Sequence, residues 1–383
     1  MSSEREHALQ LLQRIEREDL YASLLLIGES GFVRTLVLGV LRWRSRLDFV
    51  IAELAQRAVK KLDPPVVDVL RLGLYQLLFM DTPAYAAVSE SVDLAPKRAR
   101  GFVNAVLRRA TRGPVPEPSD LATRTAHPPW LVERWIRTYG AERAAKIAAA
   151  NQELSYPDVL ALRDEPPPGG ERSSLVPGVW KLHGSSAELD RDAFHPMDEG
   201  SAVIAAIARA CGDDILDVAA APGGKSLYME HYGARVVSSD VSFSRLRPLA
   251  RRGRKIVVSD GRTPPFAKPF AVVLLDAPCS ATGTIRKNPE LKWRMREEDL
   301  AGFAKLQRAL LAGALSVARD FVVYSTCSLE PEENDRVVEG VARVDITPYV
   351  PEGARPWVED GVLRLTPESG ADGFTAFLLK TGA

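Results

Sequence analysis

Five short apolar runs, each ending in a polar or reactive residue, constrain what the C-terminal half of this chain can fold into. They are DILDVA, RVVSSD, KIVVSD, AVVLLDAP and FVVYSTC, with helical stretches between them, the clearest being EEDLAGFAKLQRALLAGALSVA. Short strands that are apolar on both faces belong in a parallel sheet covered by helices on both sides. In open sheets of that kind the ligand sits outside the carboxyl ends of the strands. Here those ends carry Asp217, Asp240, Asp260, Asp276 with Pro278 and Cys279, and Cys327. Packing gives no reason for five successive strands to end in this way. GSAVIAAIARACG predicts a helix before the first strand, and GVLRL and GFTAFLLK predict a closing strand pair.

The N-terminal part reads differently. Residues 1–112 have apolar residues at helical spacing, as in AVSESVDLA and GFVNAVLRRA, and almost no strand-type alternation. VVDVLRLGLYQLLFM is apolar nearly all round, as a central helix would be, with Pro64 and Pro65 at its start and Asp63 in the capping position. GPVPEPSD, residues 113–120, is a proline-rich linker. A connecting module is expected over 121–195, with helical PPWLVERWIRTYG and AERAAKIAAANQ and strands at DVLALR and VWKL. The third domain is expected over 196–383.

Of the 383 residues, 46% are apolar and 26% charged, which excludes disorder as the main state. Three cysteines argue against a disulfide framework and for a reducing compartment. No run of 18 apolar residues is present, and MSSEREHALQ lacks the apolar core of a signal peptide. A cytoplasmic, membrane-free protein is expected. The 50 basic and 50 acidic residues cancel overall, but residues 1–113 hold 17 of one and 13 of the other. Arginines cluster at 42–46, 98–100 and 108–112, and again from Arg245 to Arg254. Each cluster is either a phosphate-binding patch or a solvated helix face.

DVAAAPGGKS is a strand, a small-residue turn and a helix start. Ala219, Ala220, Ala221, Pro222, Gly223 and Gly224 let a ligand approach the backbone, and amides at a helix start favour a negative group such as a carboxylate. The motif is neither GxGxxG nor the phosphate loop. Asp240 stands where an acid commonly holds a ribose hydroxyl pair, and Asp260 where one could accept from an adenine amino group. Either could instead be a helix cap. Cys279 and Cys327 lie at strand ends, whereas Cys211 reads as a small buried residue. A thiolate is the strongest nucleophile available near neutral pH, and a cation such as Lys225 or a helix start would favour it. SLEPEEN after Cys327 reads as leading into a helix. No CxxC or HxxxH spacing occurs, so no metal is expected.

On the segments LDVAAAPGGKS, SSDVSFSRL, VVSDGR, LLDAPCSATGTIRKNPELKW, VVYSTCSLEPEEN and DGFTAFLL, the chain resembles the bacterial ribosomal RNA cytosine-C5 methyltransferases of the Sun (RsmB, Fmu) group in the NOL/NOP/Sun family. GLYQLLFMDTPAYAAVSESV and RGFVNAVLRR resemble the NusB-like RNA-binding domain of that group, and AHPPWLVERWIRTYG the start of its connecting module. The resemblance implies an all-α NusB-like domain followed by a Rossmann-like class I methyltransferase domain, with S-adenosylmethionine as methyl donor. It implies that Ala219–Lys225 surround the methionine part, that Asp240 holds the ribose, and that Asp260 meets the adenine. Asp276 would lie between cofactor and cytosine. Cys327 would add to C6 of the cytosine, making C5 enamine-like and able to take the methyl group. Cys279 would help remove the C5 proton, and Lys225 would orient Asp276 or help Cys327 ionise. The partner implied is small-subunit ribosomal RNA before the subunit is fully assembled, bound by a monomer; a transfer RNA stays open.

The chain departs from the family pattern in its short stretch between Asp240 and Asp260, in Arg319–Asp320 where a Gly-Gly turn is usual, and in MDEGS for Gln-Asp-x-Ala-Ser. A DNA cytosine methyltransferase would reverse the roles of the two cysteines, but the TCS motif and the helical N-terminal part argue against it. A non-catalytic assembly factor would need neither cysteine. Trp293, beside Lys292 and Arg294, is either an aromatic platform for a base or a core residue.

Overall fold

The computed structural model describes residues 3–381 apart from 19, 164, 185 and 187. The chain forms two compact units, residues 1–153 with 288–295, and residues 154–287 with 296–383.

The first unit is helical: α1 (Glu4–Arg17), α2 (Ala22–Leu25), α3 (Gly31–Ala55), α4 (Pro64–Phe79), α5 (Ala84–Leu94), α6 (Arg100–Arg112), α7 (Leu121–Arg124) and α8 (Pro129–Ala150). α4 is its centre, and every residue from Val66 to Gln76 is buried. Asp63 occupies the capping position, but its side chain makes no capping bond and pairs with Arg98 at 2.7 Å instead. The reason is local: Pro65 has no N–H, so it removes one of the two donors a capping carboxylate seeks. The buried Arg71 makes paired hydrogen bonds with Asp48 at 2.7 and 2.8 Å, so its charge is compensated inside the bundle. α8 breaks at Gly140, where φ is 79°, as its two sequence stretches predict.

The segment 288–295 is part of this unit. Lys292 is buried and donates to the Arg42 carbonyl at 2.9 Å, and the Trp293 indole N–H donates to the Leu41 carbonyl at 2.6 Å. The Arg44 guanidinium lies over that indole at 5.7 Å, so Trp293 is engaged in packing within the unit.

The stretch 121–195, expected as one connecting module, is divided by the packing between the two units at 153/154. α7 packs on α3 and α8, which ties the first part to the helical bundle. The second part forms a four-stranded antiparallel sheet of β1 (Asp158–Ala161), β2 (Gly170–Arg172), β3 (Val179–Leu182) and β4 (Phe194–Pro196), in the order β2-β3-β1-β4. β2 and β4, three residues each, are too short to show alternation in the sequence.

The larger sheet follows. Its elements are α9 (Glu199–Cys211), β5 (Asp214–Val218), α10 (Gly224–His231), β6 (Arg235–Asp240), α11 (Phe243–Arg251), β7 (Ile256–Val258) and β8 (Phe270–Asp276). After α12 (Leu291–Arg294), which lies in the 288–295 segment, come α13 (Asp299–Val317), β9 (Ala318–Thr326), β10 (Arg343–Val344), β11 (Val358–Glu359), β12 (Val362–Leu365) and β13 (Phe374–Lys380). The order is β11-β12-β13-β9-β8-β5-β6-β7, with β10 beside β13. β9, β8, β5, β6 and β7 run parallel, and β12 and β13 close the sheet antiparallel. All five expected strands form, with apolar clusters on both faces. Strand order reverses between β5 and β8, which opens a crevice at their carboxyl ends.

One expectation fails. Residues 331–337 after Cys327 form successive turns and not a helix. Their backbone bonds are irregular, spanning three residues from Glu333 to Glu330 and from Asn334 to Pro331, and five from Arg336 to Pro331. The side chains of Glu333 and Asn334 turn inward and bond to the strand-end loops. No described helix is long and apolar enough to cross a membrane.

Candidate active site

The loop after β5 lines one side of the crevice. Ala219 sits in the left-handed region at φ 59°, and Ala281, just after the Cys279–Ser280 pair, does so at 58°. Strained non-glycine residues collect at functional loops, and these two flank the switch point. Gly223, at φ 111°, is required twice over, because a Cβ there would also lie 2.4 Å from Leu249. It precedes α10, whose N-terminus no side chain caps.

Asp217 is buried, accepts from Ser226 at 2.5 Å, and has its pKa pushed up to about 7 by that burial. A carboxyl group raised in the folded state holds its proton longer there than in the unfolded chain. Stability is therefore fullest below the unfolded value and declines as pH climbs towards 7. Asp217→Asn keeps an acceptor for Ser226 and removes the charge. Its urea midpoint should exceed that of the wild type at pH 8, with the gap closing by pH 5; an equal gap at both pH values would contradict the assignment.

Asp240 is fixed by two backbone amides, Ala221 N–H to Oδ2 at 3.3 Å and Ser242 N–H to Oδ1 at 2.9 Å. Asp260 is held by Arg262, whose Nη2 donates at 2.6 Å, and this lowers its pKa to about 2. An amino group reaching Asp260 would share the carboxylate with Arg262. The residues present fit S-adenosylmethionine: an uncapped helix start for a carboxylate, a small-residue loop, and two carboxylates at successive strand ends for hydroxyl and amino groups.

β8 and β9 are parallel neighbours with Asp276 opposite Ser325, so the two cysteine loops leave the same edge of the sheet. The sulfurs of Cys279 and Cys327 are 3.2 Å apart. The hydrogen bond to Cys327, then burial and the negative charges of Cys327, Glu333 and Asp276, hold the Cys279 thiol well above its usual range. Lys225 reaches across from α10 and pairs with Asp276 Oδ2 at 2.6 Å. Burial pulls the Lys225 pKa down, but Asp276, Asp217 and Cys327 together raise it above its usual value. Asp276 Oδ1 accepts from Ser325 at 2.8 Å. Cys211 stands apart at the end of α9, half-buried, with its thiol pushed up to about 12 by burial. Among the described residues no cluster of three or more metal-type ligands occurs.

Reading motifs missed several members of this constellation. Ser201 Oγ accepts from Lys225 at 2.7 Å and so completes a chain from Ser201 through Lys225 and Asp276 to Ser325. Phe374 lies 5.3 Å from the Lys225 ammonium. Gly283 donates to the Cys327 carbonyl at 2.9 Å and accepts from Gly373 at 2.8 Å; a Cβ on it would meet the Gly373 carbonyl at 2.4 Å. All of them lie inside quoted segments, MDEGS, DAPCSATGTIRK and DGFTAFLL, but no spacing rule singles them out.

The family profile of the 16S rRNA methyltransferase RsmB/F matches residues 204–375, and that of the NusB family matches 2–112. The chain is 30% identical to the probable ribosomal RNA small subunit methyltransferase B of Bacillus subtilis, covering 97% of each chain. It is 30% identical to the ribosomal RNA small subunit methyltransferase B of Pseudomonas putida, covering 93% of this chain and 91% of that one. The solved structure of PH0851 shares the fold at a TM-score of 0.74 and 22% identity, with 97% of each chain covered. The chain therefore belongs to the 16S rRNA methyltransferase RsmB/F family, enzymes that take their methyl group from S-adenosylmethionine, and carries that family's catalytic domain behind a NusB domain.

Proposed function

We propose that this enzyme methylates C5 of a cytosine in small-subunit ribosomal RNA through a covalent bond between Cys327 and C6, with Cys279 assisting release. The observation that carries the reading is the thiol pair at 3.2 Å beside the Lys225–Asp276 ion pair, all at the switch point of the sheet. Bound S-adenosylmethionine supplies an electrophilic methyl carbon. C5 of cytosine is too poor a nucleophile to take it unaided, and a thiolate added at C6 makes C5 electron-rich. Cys327, in the TCS motif, is the nucleophile, with the Lys225–Asp276 ion pair in the same site. Asp276, oriented by Lys225 and Ser325, holds a proton at N3 of the cytosine. Once C5 carries the methyl group, Cys279 assists removal of the C5 proton, the sulfur–C6 bond breaks, and Cys327 leaves as thiolate. Ala219–Lys225, Asp240 and Asp260 hold the cofactor.

The target cytosine must be unstacked, in a single strand or flipped from a helix. Residues 1–112 and 121–195 supply RNA binding and 196–383 the chemistry, in a cytoplasmic monomer acting before the small subunit is complete.

A small-subunit ribosomal RNA transcript carrying [5-3H]cytidine tests the position of methylation. C5 transfer releases one tritium to water for each methyl group transferred. Methyl incorporation without tritium release would move the reaction to another atom, and activity on transfer RNA alone would change the substrate.

A further inference from the structure

Each catalytic-motif cysteine is followed by a serine, Ser280 after Cys279 and Ser328 after Cys327, and both serines are buried. Their hydroxyls lie 3.0 Å apart, and both donate to one oxygen of Glu333, Oε2. The other oxygen, Oε1, accepts from the Ser280 N–H at 2.8 Å and from Gln307 Nε2 at 3.0 Å. The same Gln307 nitrogen donates to the Pro278 carbonyl at 2.9 Å. Glu333 has no exposure to solvent, and its own carbonyl accepts from Tyr324 of β9 at 2.6 Å. Next to it, Asn334 donates to the Ser328 carbonyl at 2.9 Å and accepts from Thr326 at 2.6 Å. One buried carboxylate thus gathers the residues that follow the two cysteines, from loops 48 residues apart in sequence.

We propose that Glu333 is a positioning residue that sets the separation and alignment of the Cys279 and Cys327 thiols through Ser280 and Ser328. This deepens the proposed chemistry and rests on it, because the pair must act on the same cytosine. The two loops also bond to each other directly, through the Ser280 and Ser328 hydroxyls and through the Gly283 N–H to the Cys327 carbonyl, and the Glu333 carboxylate takes both serine hydroxyls on one oxygen. A carboxylate suits the place: it is acceptor-only, and four donors converge on it. Glutamine has the same shape, can keep the amide and Gln307 bonds at Oε1, and can donate to the two hydroxyls, which rotate to accept. Alanine leaves all four donors without their acceptor.

The test compares full-length Glu333→Gln, Glu333→Ala and Ser328→Ala by two readouts. The first is methyl transfer to the ribosomal RNA transcript. Displacement of catalytic groups by about 1 Å can cost ~100-fold in rate. Glu333→Ala should therefore lose about 100-fold in kcat, with the KM for RNA and cofactor unchanged, while Glu333→Gln recovers most of the rate. The second readout needs no methyl transfer. Phenylarsine oxide forms two sulfur–arsenic bonds with a close dithiol and releases water. The wild type and Glu333→Gln should capture it, Cys279→Ala should not, and Glu333→Ala should capture it weakly. If Glu333→Ala does not fold, Ser328→Ala, which removes one of the two hydroxyl bonds to Glu333 together with the Ser328 bonds to Ser280 and the Glu330 N–H, should still lower kcat and slow arsenical capture. Wild-type kcat and capture in Glu333→Ala, or in Ser328→Ala when it stands in, would overturn the proposal. So would a Glu333→Gln as impaired as alanine. If the arsenical pattern holds while the wild type moves no methyl group, the positioning role stands and the proposed reaction falls.

Discussion

Cys327→Ala is expected to lower methyl transfer to RNA by at least about 10⁴-fold, or ~5.5 kcal/mol, in the range seen when a covalent nucleophile is removed. The loss is large because no other group can make C5 of the ring nucleophilic. Cys279 is the nearest thiol, but burial and the charges of Glu333 and Asp276 still push its pKa up when Cys327 is gone. The substitution removes one half-buried sulfur and leaves Thr326, Ser328 and their bonds to Asn334 and Glu333 intact. Folding and cofactor binding should match the wild type, as checked by thermal unfolding and equilibrium binding of S-adenosylmethionine. In the same variant Cys279 loses the largest cause of its raised pKa, so it should react faster with iodoacetamide at pH 8. Methyl transfer within ten-fold of wild type would remove Cys327 from the role of nucleophile.

Most of the strand-end framework of the candidate site was legible in the sequence for a physical reason. Buried parallel strands must be apolar throughout, so Asp217, Asp240, Asp276 and Cys327 stand out at their ends. The helix start at Gly224 and the strand pair β12–β13 were equally plain. The contacts that organise the site were not. Ser201 is near Lys225 only because α9 and α10 pack side by side, and no pattern within either helix announces it. Glu333 looks like one more acid in SLEPEEN, a run that reads as a solvated helix start. Its burial arises from turns that bring it under the two cysteine loops. Asp260 was read as an acceptor for an adenine amino group or a helix cap, and its bond to Arg262, two residues on, was not read at all. The split of residues 121–195 was hidden because it depends on which core each part joins. The place of 288–295 in the helical unit was hidden for the same reason, since its polar, charged sequence gives no hint of a buried lysine.

The division of labour between the sulfurs is the centre of the account, and Cys279→Ala tests it most directly. The variant keeps Cys327, Lys225 and Asp276, so addition to C6 and uptake of the methyl group proceed. Without Cys279 the C5 proton is removed slowly and the sulfur–C6 bond persists. The protein expressed in cells should then carry RNA through a denaturing gel, as a shifted band that ribonuclease removes and that Cys279→Ala/Cys327→Ala does not show. Sequencing the trapped RNA identifies the cytosine. If Cys279→Ala forms no adduct while the wild type methylates RNA in parallel, the roles assigned to the two cysteines are wrong.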